Sequence, residues 1–458
     1  MFRAVRQGAS AFLQHFGSRP IGAVAVALGL LLATPAVGLA ADPADQAAYD
    51  AAFDAMQRDP GNSDKALAYA EAAIKVGDLE GAIGALERLL IFNPDLPKLQ
   101  LEVGVLYFRL GSYDLARNYL APLADRTDLS SEDRAKAAQY LAQIDKQNSH
   151  HQFGGDLTTG FRYQTNANFG PAGTTFRIIG LDLPVPNGAS GKGDGSFFGL
   201  ATGNYVYDFQ TADPLTIEAN LTLYGSKQFK ETQFDLSLTQ LDVGPRIGLP
   251  WLVEGANVRP YIVGDFLSLG GASLFESYGG GINGFTPIWG KFDIQGNFEI
   301  QNRQYPVNPG LPLIETRTGD YISLHLLPRY NITPKQQISL ISGYDRAMAV
   351  QGTQRYTQYT VGPLYAATFE APFQPFVKPW IVTSSFTRVW RNYGEPDIIV
   401  DPFDNRLDRE WNLGWTLEVG IVDRISAIVQ VQQSWVKSTI PNYAYTDTVA
   451  LGGIHFSF

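Results

Sequence analysis

Three rhythms of apolar and polar positions follow one another along this chain. Ile21 to Leu32 is an unbroken apolar run, preceded by Arg3, Arg6 and Arg19 with no acid and followed by Gly38-Leu39-Ala40. A basic start, a short apolar stretch and small residues predict a secretory signal peptide over 1–40, cut after Ala40. The run is too short to serve as an anchoring helix, which needs roughly 20 apolar residues. From 45 to 147, Ala and Leu dominate and apolar residues recur every three or four positions, the helical period. From about Phe153 to Phe458 strict alternation takes over. These changes divide the mature chain into a helical domain over 41–148 and a strand-rich domain over 149–458, a multidomain α+β arrangement.

The helical segment repeats itself. A shift of 34 residues superimposes Ala70 on Gly104, Gly77 on Gly111, Ala82 on Ala116, Leu86 on Leu120 and Pro60 on Pro94. A small residue at 70 and 104 permits close helix packing, and glycine at 77 and 111 supplies the positive φ that ends a helix. This is the tetratricopeptide pattern, whose period is 34. Six helices are expected near 45–58, 63–76, 79–92, 97–110, 113–126 and 131–147. Such a stack offers a concave surface for a peptide or protein, with Glu71, Lys75, Gln100, Tyr107 and Phe108 as candidate cargo contacts; the simpler reading is a spacer.

In the strand-rich segment each strand has two faces of different character. Phe153, Leu157, Phe161 and Tyr163 oppose Asp156, Thr158, Arg162 and Gln164; Ile217, Leu221 and Leu223 oppose Glu218 and Asn220; Phe298 and Ile300 oppose Lys291, Asp293, Asn297 and Glu299; Leu413, Trp415 and Leu417 oppose Glu410 and Glu418. A soluble antiparallel sheet would alternate as well. Three features favour a membrane barrel instead. Aromatic residues sit toward strand ends (Tyr163, Tyr205, Tyr207, Tyr224, Trp380, Trp390, Trp411, Trp435), as in interfacial girdles. After the signal peptide no apolar helix of spanning length remains, so membrane residence requires a closed barrel. The last strand, Ala450 to Phe458, ends on an aromatic residue, resembling the terminal strand that the barrel-assembly machinery reads.

Counting alternating segments gives fourteen strands between 153 and 458. Long connections at 166–195, 303–318 and 391–407 are odd-numbered, and tight ones at 210–214, 333–335 and 422–423 are even-numbered. That fits a barrel with longer external loops and short periplasmic turns. The predicted fold is therefore a helical repeat domain followed by a transmembrane antiparallel barrel in an outer membrane, helices in the periplasm.

Composition narrows the chemistry. With 35 basic and 45 acidic residues the chain is not a nucleic-acid binder acting through bulk charge, and without Cys it has no disulfide, thiolate metal site or Cys nucleophile. Only 17% of residues are charged, fewer than an ordinary soluble surface carries. Ser323 with His325, and His455 with Ser457, share faces, but such neighbours arise readily by chance; catalysis and cofactors are not expected. Asp401, Asp404, Asp408 and Glu410 could hold Ca²⁺, though a solvated acidic loop is the simpler reading. The more promising site is the lumen, lined by Arg162, Gln164, Glu218, Asn220, Lys291, Asp293, Asn297, Glu299, Arg303, Arg329, Glu410 and Glu418, with both signs of charge. Those residues could equally pair with one another and fill it.

Helical repeats, a linker, a first strand reading Gly160-Phe161-Arg162-Tyr163-Gln164-Thr165-Asn166-Ala167-Asn168 and a barrel of about fourteen strands resemble the surface lipoprotein assembly modifiers, the Slam family. Gln164 and Thr165 stand where that family tends to carry an acid and a serine. The resemblance implies translocation of a lipoprotein or soluble protein cargo to the cell surface. Two other readings are an exopolysaccharide export porin, which also joins such repeats to a barrel, and a diffusion porin for small solutes.

Overall fold

A computed structural model describes residues 43–458, apart from 60, 61, 148, 187, 309, 312 and 374–377; the expected signal peptide lies outside the described residues. The described chain forms a helical unit up to His150 and a barrel unit over His151–Phe458.

The helical unit contains α1 (Pro43–Arg58), α2 (Ser63–Val76), α3 (Leu79–Phe92), α4 (Pro97–Arg109), α5 (Tyr113–Leu120) and α6 (Ser131–Gln147). The 34-residue shift carries the start of α2 onto that of α4 and the start of α3 onto that of α5. Asn62 caps α2 by accepting from the N–H groups of Asp64 and Lys65, and Gly77 closes it at φ 88°. Asp78 then caps α3 through Gly81 N–H and also accepts from the Tyr49 and Tyr69 hydroxyls. Burial would raise this carboxyl, but the donors from Gly81, Tyr49 and Tyr69 outweigh it and hold Asp78 below the usual carboxylate range. At Gly104 an added Cβ would come 2.6 Å from Leu120 Cγ, so α4 and α5 meet where only glycine fits. The fifth helix is shorter than its period suggested. It ends at Leu120 and continues as a 3₁₀ turn over Ala121–Leu123, because Pro122 has no N–H for the α ladder.

The barrel strands are β1 (His151–Gln164), β4 (Asp194–Asp208), β5 (Leu215–Gln228), β6 (Leu236–Gly248), β7 (Asn257–Leu269), β8 (Ala272–Trp289), β9 (Phe292–Gln304), β10 (Gly319–Thr333), β11 (Gln336–Ala349), β12 (Tyr356–Phe369), β13 (Trp380–Tyr393), β14 (Leu407–Val422), β15 (Ile425–Ser438) and β16 (Tyr445–Ser457). Between β1 and β4 lies a small hairpin, β2 (Thr175–Ile178) and β3 (Leu181–Pro184). Each barrel strand pairs antiparallel with its neighbours, and β1 closes on β16, Asp156 opposite Ser457 and Gln164 opposite Val449. Fourteen strands of 13 to 18 residues exceed the roughly 9–11 that span a bilayer. They therefore project beyond it.

Alternation assigns the faces as expected. Phe153, Phe161 and Tyr163 are exposed on the outer wall, as are Leu221, Leu223, Ile300, Leu413, Trp415 and Ile454. Two assignments change. Tyr224 faces the lumen, where its hydroxyl accepts from Arg162 Nη1 at 3.0 Å, so it is no part of a girdle. Lys291 lies in the tight turn between β8 and β9, where its ammonium donates to the Ile332 carbonyl at 3.0 Å, so it does not line the lumen. The expected alternation of loop lengths also has exceptions. The odd connection between β7 and β8 is only Gly270-Gly271, both at positive φ, as a two-residue hairpin turn demands. The even connections over 249–256 and 370–379 are longer.

Candidate transport lumen

The barrel has a turn end, where β1 begins and β16 finishes, and a loop end, where the connections 165–193, 305–318, 394–406 and 439–444 gather. The two halves of the lumen are built differently.

In the turn half, lumen-facing side chains such as Thr202, Thr216, Glu218, Asn220, Thr222, Arg329, Thr416 and Glu418 are only half-buried, and Asn204 is exposed. Charges pair along the wall, between neighbouring strands. Glu218 on β5 accepts from Arg246 on β6 at 2.6 and 2.9 Å and lies 3.1 Å from Arg259 on β7. Arg259 also donates to Asp242, which accepts from Asn220 at 3.0 Å. Asp293 on β9 pairs with Arg329 on β10 at 2.9 Å. Tyr261 reaches across β8 because residue 281 is glycine, where a Cβ would lie 2.5 Å from the phenol oxygen. Its hydroxyl then lies 2.8 Å from Asn297 Oδ1 and 2.7 Å from Glu299 Oε2. Glu418 accepts from Ser426. Flat pairing leaves the half-buried polar edges facing the lumen, while Arg259 and Asp293 are themselves buried in these pairs.

The loop half is filled. A belt of buried polar side chains comes first. Asp265 accepts from Ser277 and Gln301 at 2.7 and 2.6 Å. Asp345, 0% exposed, accepts from Tyr321 and Gln358 at 2.8 and 3.0 Å. Gln358 in turn accepts from Arg391 at 2.6 Å. Asp408 holds Arg406 at 2.6 Å, and Glu410 accepts from Asn412 at 2.8 Å. Arg303 lies over the Tyr321 ring at 3.7 Å. Against the belt, where Arg406 lies 3.4 Å over the Tyr443 ring, sits an apolar cluster. It joins Leu236 and Leu238 of β6, Leu267 and Leu269 of β7 and Leu274 and Phe275 of β8 to Val436 of β15 and Tyr445 of β16, through the loop residues Phe169, Ile314, Ile440 and Tyr443. β8 and β15 lie seven strands apart in either direction around the wall, so the cluster, which holds Leu274 and Phe275 of one and Val436 of the other, crosses the lumen.

The loops are tied where they meet. Gln164, Thr165 and the backbone N–H of Asn166 all donate to Asp447 on β16, at 3.4, 3.1 and 2.9 Å. Asn168 accepts from Lys192 N–H and donates to the Ser190 carbonyl, folding the first loop back on itself. The motif that carried the family resemblance therefore organises this loop. Arg177 on β2 donates to Asp182 on β3 and to Asp401 in the 394–406 loop, both at 2.7 Å, and Ile179 and Gly180 N–H bond to Ile399 and Val400. Phe403 and Asp404 N–H groups and Arg177 together hold the Asp401 carboxyl below its usual range, the Phe403 N–H being the largest cause.

Several expectations change here. Of the cluster Asp401, Asp404, Asp408 and Glu410, only Asp404 is exposed as a solvated loop requires; the other three are each 2% exposed and engaged by Arg177, Arg406 or Asn412. Among the described residues no group of carboxylates and histidines forms a metal cage. Ser323 and His325 both face the lumen, and His325 Nε2 lies 3.2 Å from Asp345. In the helical unit Tyr107 donates to Glu87 at 2.7 Å and stacks on Tyr119, Phe108 packs between Tyr113 and Tyr140, Gln100 donates to the Pro94 carbonyl, and Glu71 and Lys75 are exposed.

Asp265, Asp345 and Asp447 were missed although strand phase alone puts them on the lumen face. The β2–β3 hairpin was missed because its turn is Ile179-Gly180, at φ 50° and 75°. A β-branched residue at positive φ gives none of the Asn-Gly signal that marks such turns.

A closed antiparallel barrel with an apolar outer wall and a polar interior is a transmembrane barrel of the outer membrane. No protein-family model matches the chain, and no curated protein matches it. Solved structures similar to it include Pseudomonas putida OprB (8% identity, 70% of this chain and 96% of that chain, TM-score 0.35). Others are the outer membrane protein opdK of Pseudomonas aeruginosa (7%, 67% and 99%, 0.33) and an anion-selective porin from Comamonas acidovorans (11%, 67% and 99%, 0.32). Likeness at those TM-scores carries no conclusion about what this barrel passes.

Proposed function

We propose that this chain is a gated outer-membrane passage for small polar solutes. The observation that carries it is a half-exposed, charge-paired vestibule ending on a plug made jointly of strand and loop side chains. Barrel width grows with strand number, and sixteen to eighteen strands leave an aqueous channel where about eight are filled by side chains. Fourteen strands fall between these limits, so a path opened by movement of the loops would be wide enough for a solute and too narrow for a folded protein. Paired charges of both signs suit polar solutes without strong ion selectivity. Reconstituting the full chain in liposomes and following efflux of sugars of graded size tests this. Slow, size-limited efflux that accelerates when residues 170–190 are replaced by a short Gly-Ser link supports the passage. No size-dependent efflux from either form overturns it.

A second reading keeps a protein as the cargo. It rests on the helix pairs at 34-residue spacing and on the Slam-like first strand, with the helical unit in the periplasm handing an extended chain to the vestibule. Surface proteomics with and without the gene separates the two. Loss of one surface protein, with its accumulation in the periplasm, favours translocation.

A further inference from the structure

At the loop end the outer wall of β13, β14 and β15 carries a feature that transport through the lumen does not use. Two adjacent rows run across these strands. In one, Trp390 lies opposite Arg409, and Arg409 opposite Lys437; in the next, Arg388 lies opposite Trp411, and Trp411 opposite Trp435. All six alternate with lumen residues such as Val389, Glu410 and Val436, so they face outward. The Arg388 guanidinium lies 3.5 Å from the centre of the Trp411 ring and 5.3 Å from that of Trp390, and Lys437 Nζ lies 5.7 Å from Trp411.

The charges here are one-sided. In the lumen, Arg246, Arg259, Arg329 and Arg406 each contact a carboxylate. Among the described residues Arg388, Arg409 and Lys437 form no ion pair; Arg409 donates only to Asn392 Oδ1 at 3.0 Å and to the Asp408 carbonyl at 2.8 Å. Like charges directly opposite on neighbouring strands repel, and Arg409 faces Lys437 in that way. A bound anion would relieve this. Its place on the wall identifies its source: tryptophans occupy the level where hydrocarbon meets headgroups, and below them the same strands carry Phe386, Leu413 and Trp415, which suit acyl chains.

We propose that this patch binds the phosphate of a lipid headgroup in the leaflet at the loop end, with Arg388, Arg409 and Lys437 supplying the charge. Trp390, Trp411 and Trp435 supply the platform on which sugar or glycerol rests. Bidentate guanidinium–phosphate contacts fit this role. A lipid fixed against β13–β15 would steady the wall that carries Arg391, Asp408 and the 394–406 loop.

The test compares the detergent-solubilised full chain with the triple variant R388Q/R409Q/K437Q, titrating each with lipid A and reading bound lipid by native mass spectrometry. Heat-modifiable gel mobility confirms that both are folded. Should the triple variant not fold, R388Q and K437Q singly replace it. At about 1 kcal/mol per cation near a headgroup, the triple variant should bind on the order of a hundredfold more weakly and each single variant about fivefold. Lipid A stripped of phosphate should bind the wild type as weakly as lipid A binds the variant, and millimolar inorganic phosphate should not displace the lipid. Equal binding by wild type and variant, undiminished binding of the phosphate-free lipid, or displacement by inorganic phosphate would each overturn the assignment.

Discussion

The turn half and the loop half of the lumen use the same ingredients, Arg, Asp, Glu, Asn and Gln on alternate positions, with different results. At the turn half Glu218, Arg246 and Arg259 pair along the wall, and Thr216, Glu218 and Asn220 stay half-buried. At the loop half Asp345, Gln358, Arg391 and Asp408 are covered by loops and by leucines on the strands themselves. The inward face changes from polar to apolar within single strands: β7 carries Arg259 and Tyr261 toward the lumen near one end and Leu267 and Leu269 near the other. That inversion converts a vestibule into a dead end. A passage through this barrel then requires the loops to move.

The largest expected effect comes from removing the apolar bridge. Phe169→Ala with Ile440→Ala takes away two of the loop residues that join opposite walls. Each truncation should weaken the closed state by about 2 kcal/mol or more, so planar-bilayer recordings of the double variant should show on the order of a thousandfold more open time than wild type. Next, Leu267→Ala, at a side chain 0% exposed, should cost about 3 kcal/mol in urea unfolding from lipid vesicles. Thr222→Ala in the turn half should cost about 0.5 kcal/mol or less. Equal losses would erase the distinction between the halves.

Arg259→Ala addresses the turn half directly. It leaves Glu218 and Asp242 short of a partner, costing about 2 kcal/mol, and should shift reversal potentials toward cation preference in any variant that conducts. A smaller effect is set by pH. Asp401 has a depressed pKa, so its contribution is present above the ordinary value of 3.8 and is lost as pH falls through the lower folded value. Protease nicking of the 394–406 loop should therefore be unchanged between pH 7 and 5 and should rise only below about 3.8. Asp401→Asn should flatten that response and raise the nicking at neutral pH.

Much of this architecture was legible because a barrel strand reports its environment at every second residue. Fourteen strands, their faces and the helix starts at 63, 79, 97 and 113 follow from periodicity. Tyr224 departs from the girdle because strand phase, shared with Thr222, and not aromatic character fixes the face a side chain takes. The plug was not legible for a different reason. Phe169, Ile314, Ile440 and Tyr443 sit in irregular segments where no period says which way a side chain turns, and their burial depends on partners more than a hundred residues away. The motif over Gln164–Asn168 read as a signature, while its physical role rests on Asp447 at the opposite end of the barrel sequence.

A lumen open to water in its turn half and sealed in its loop half gives the two halves different access to a soluble reagent. Because the chain has no cysteine, one introduced thiol reports its own position. Thr222→Cys and Ser323→Cys, in otherwise unaltered full chains in detergent, should be treated with a charged maleimide and followed by mass. The account predicts prompt labelling at 222 and protection at 323 until the loop bridge is removed by Phe169→Ala with Ile440→Ala; equally fast labelling of both sites in the otherwise unaltered chain would mean a continuous channel and contradict it.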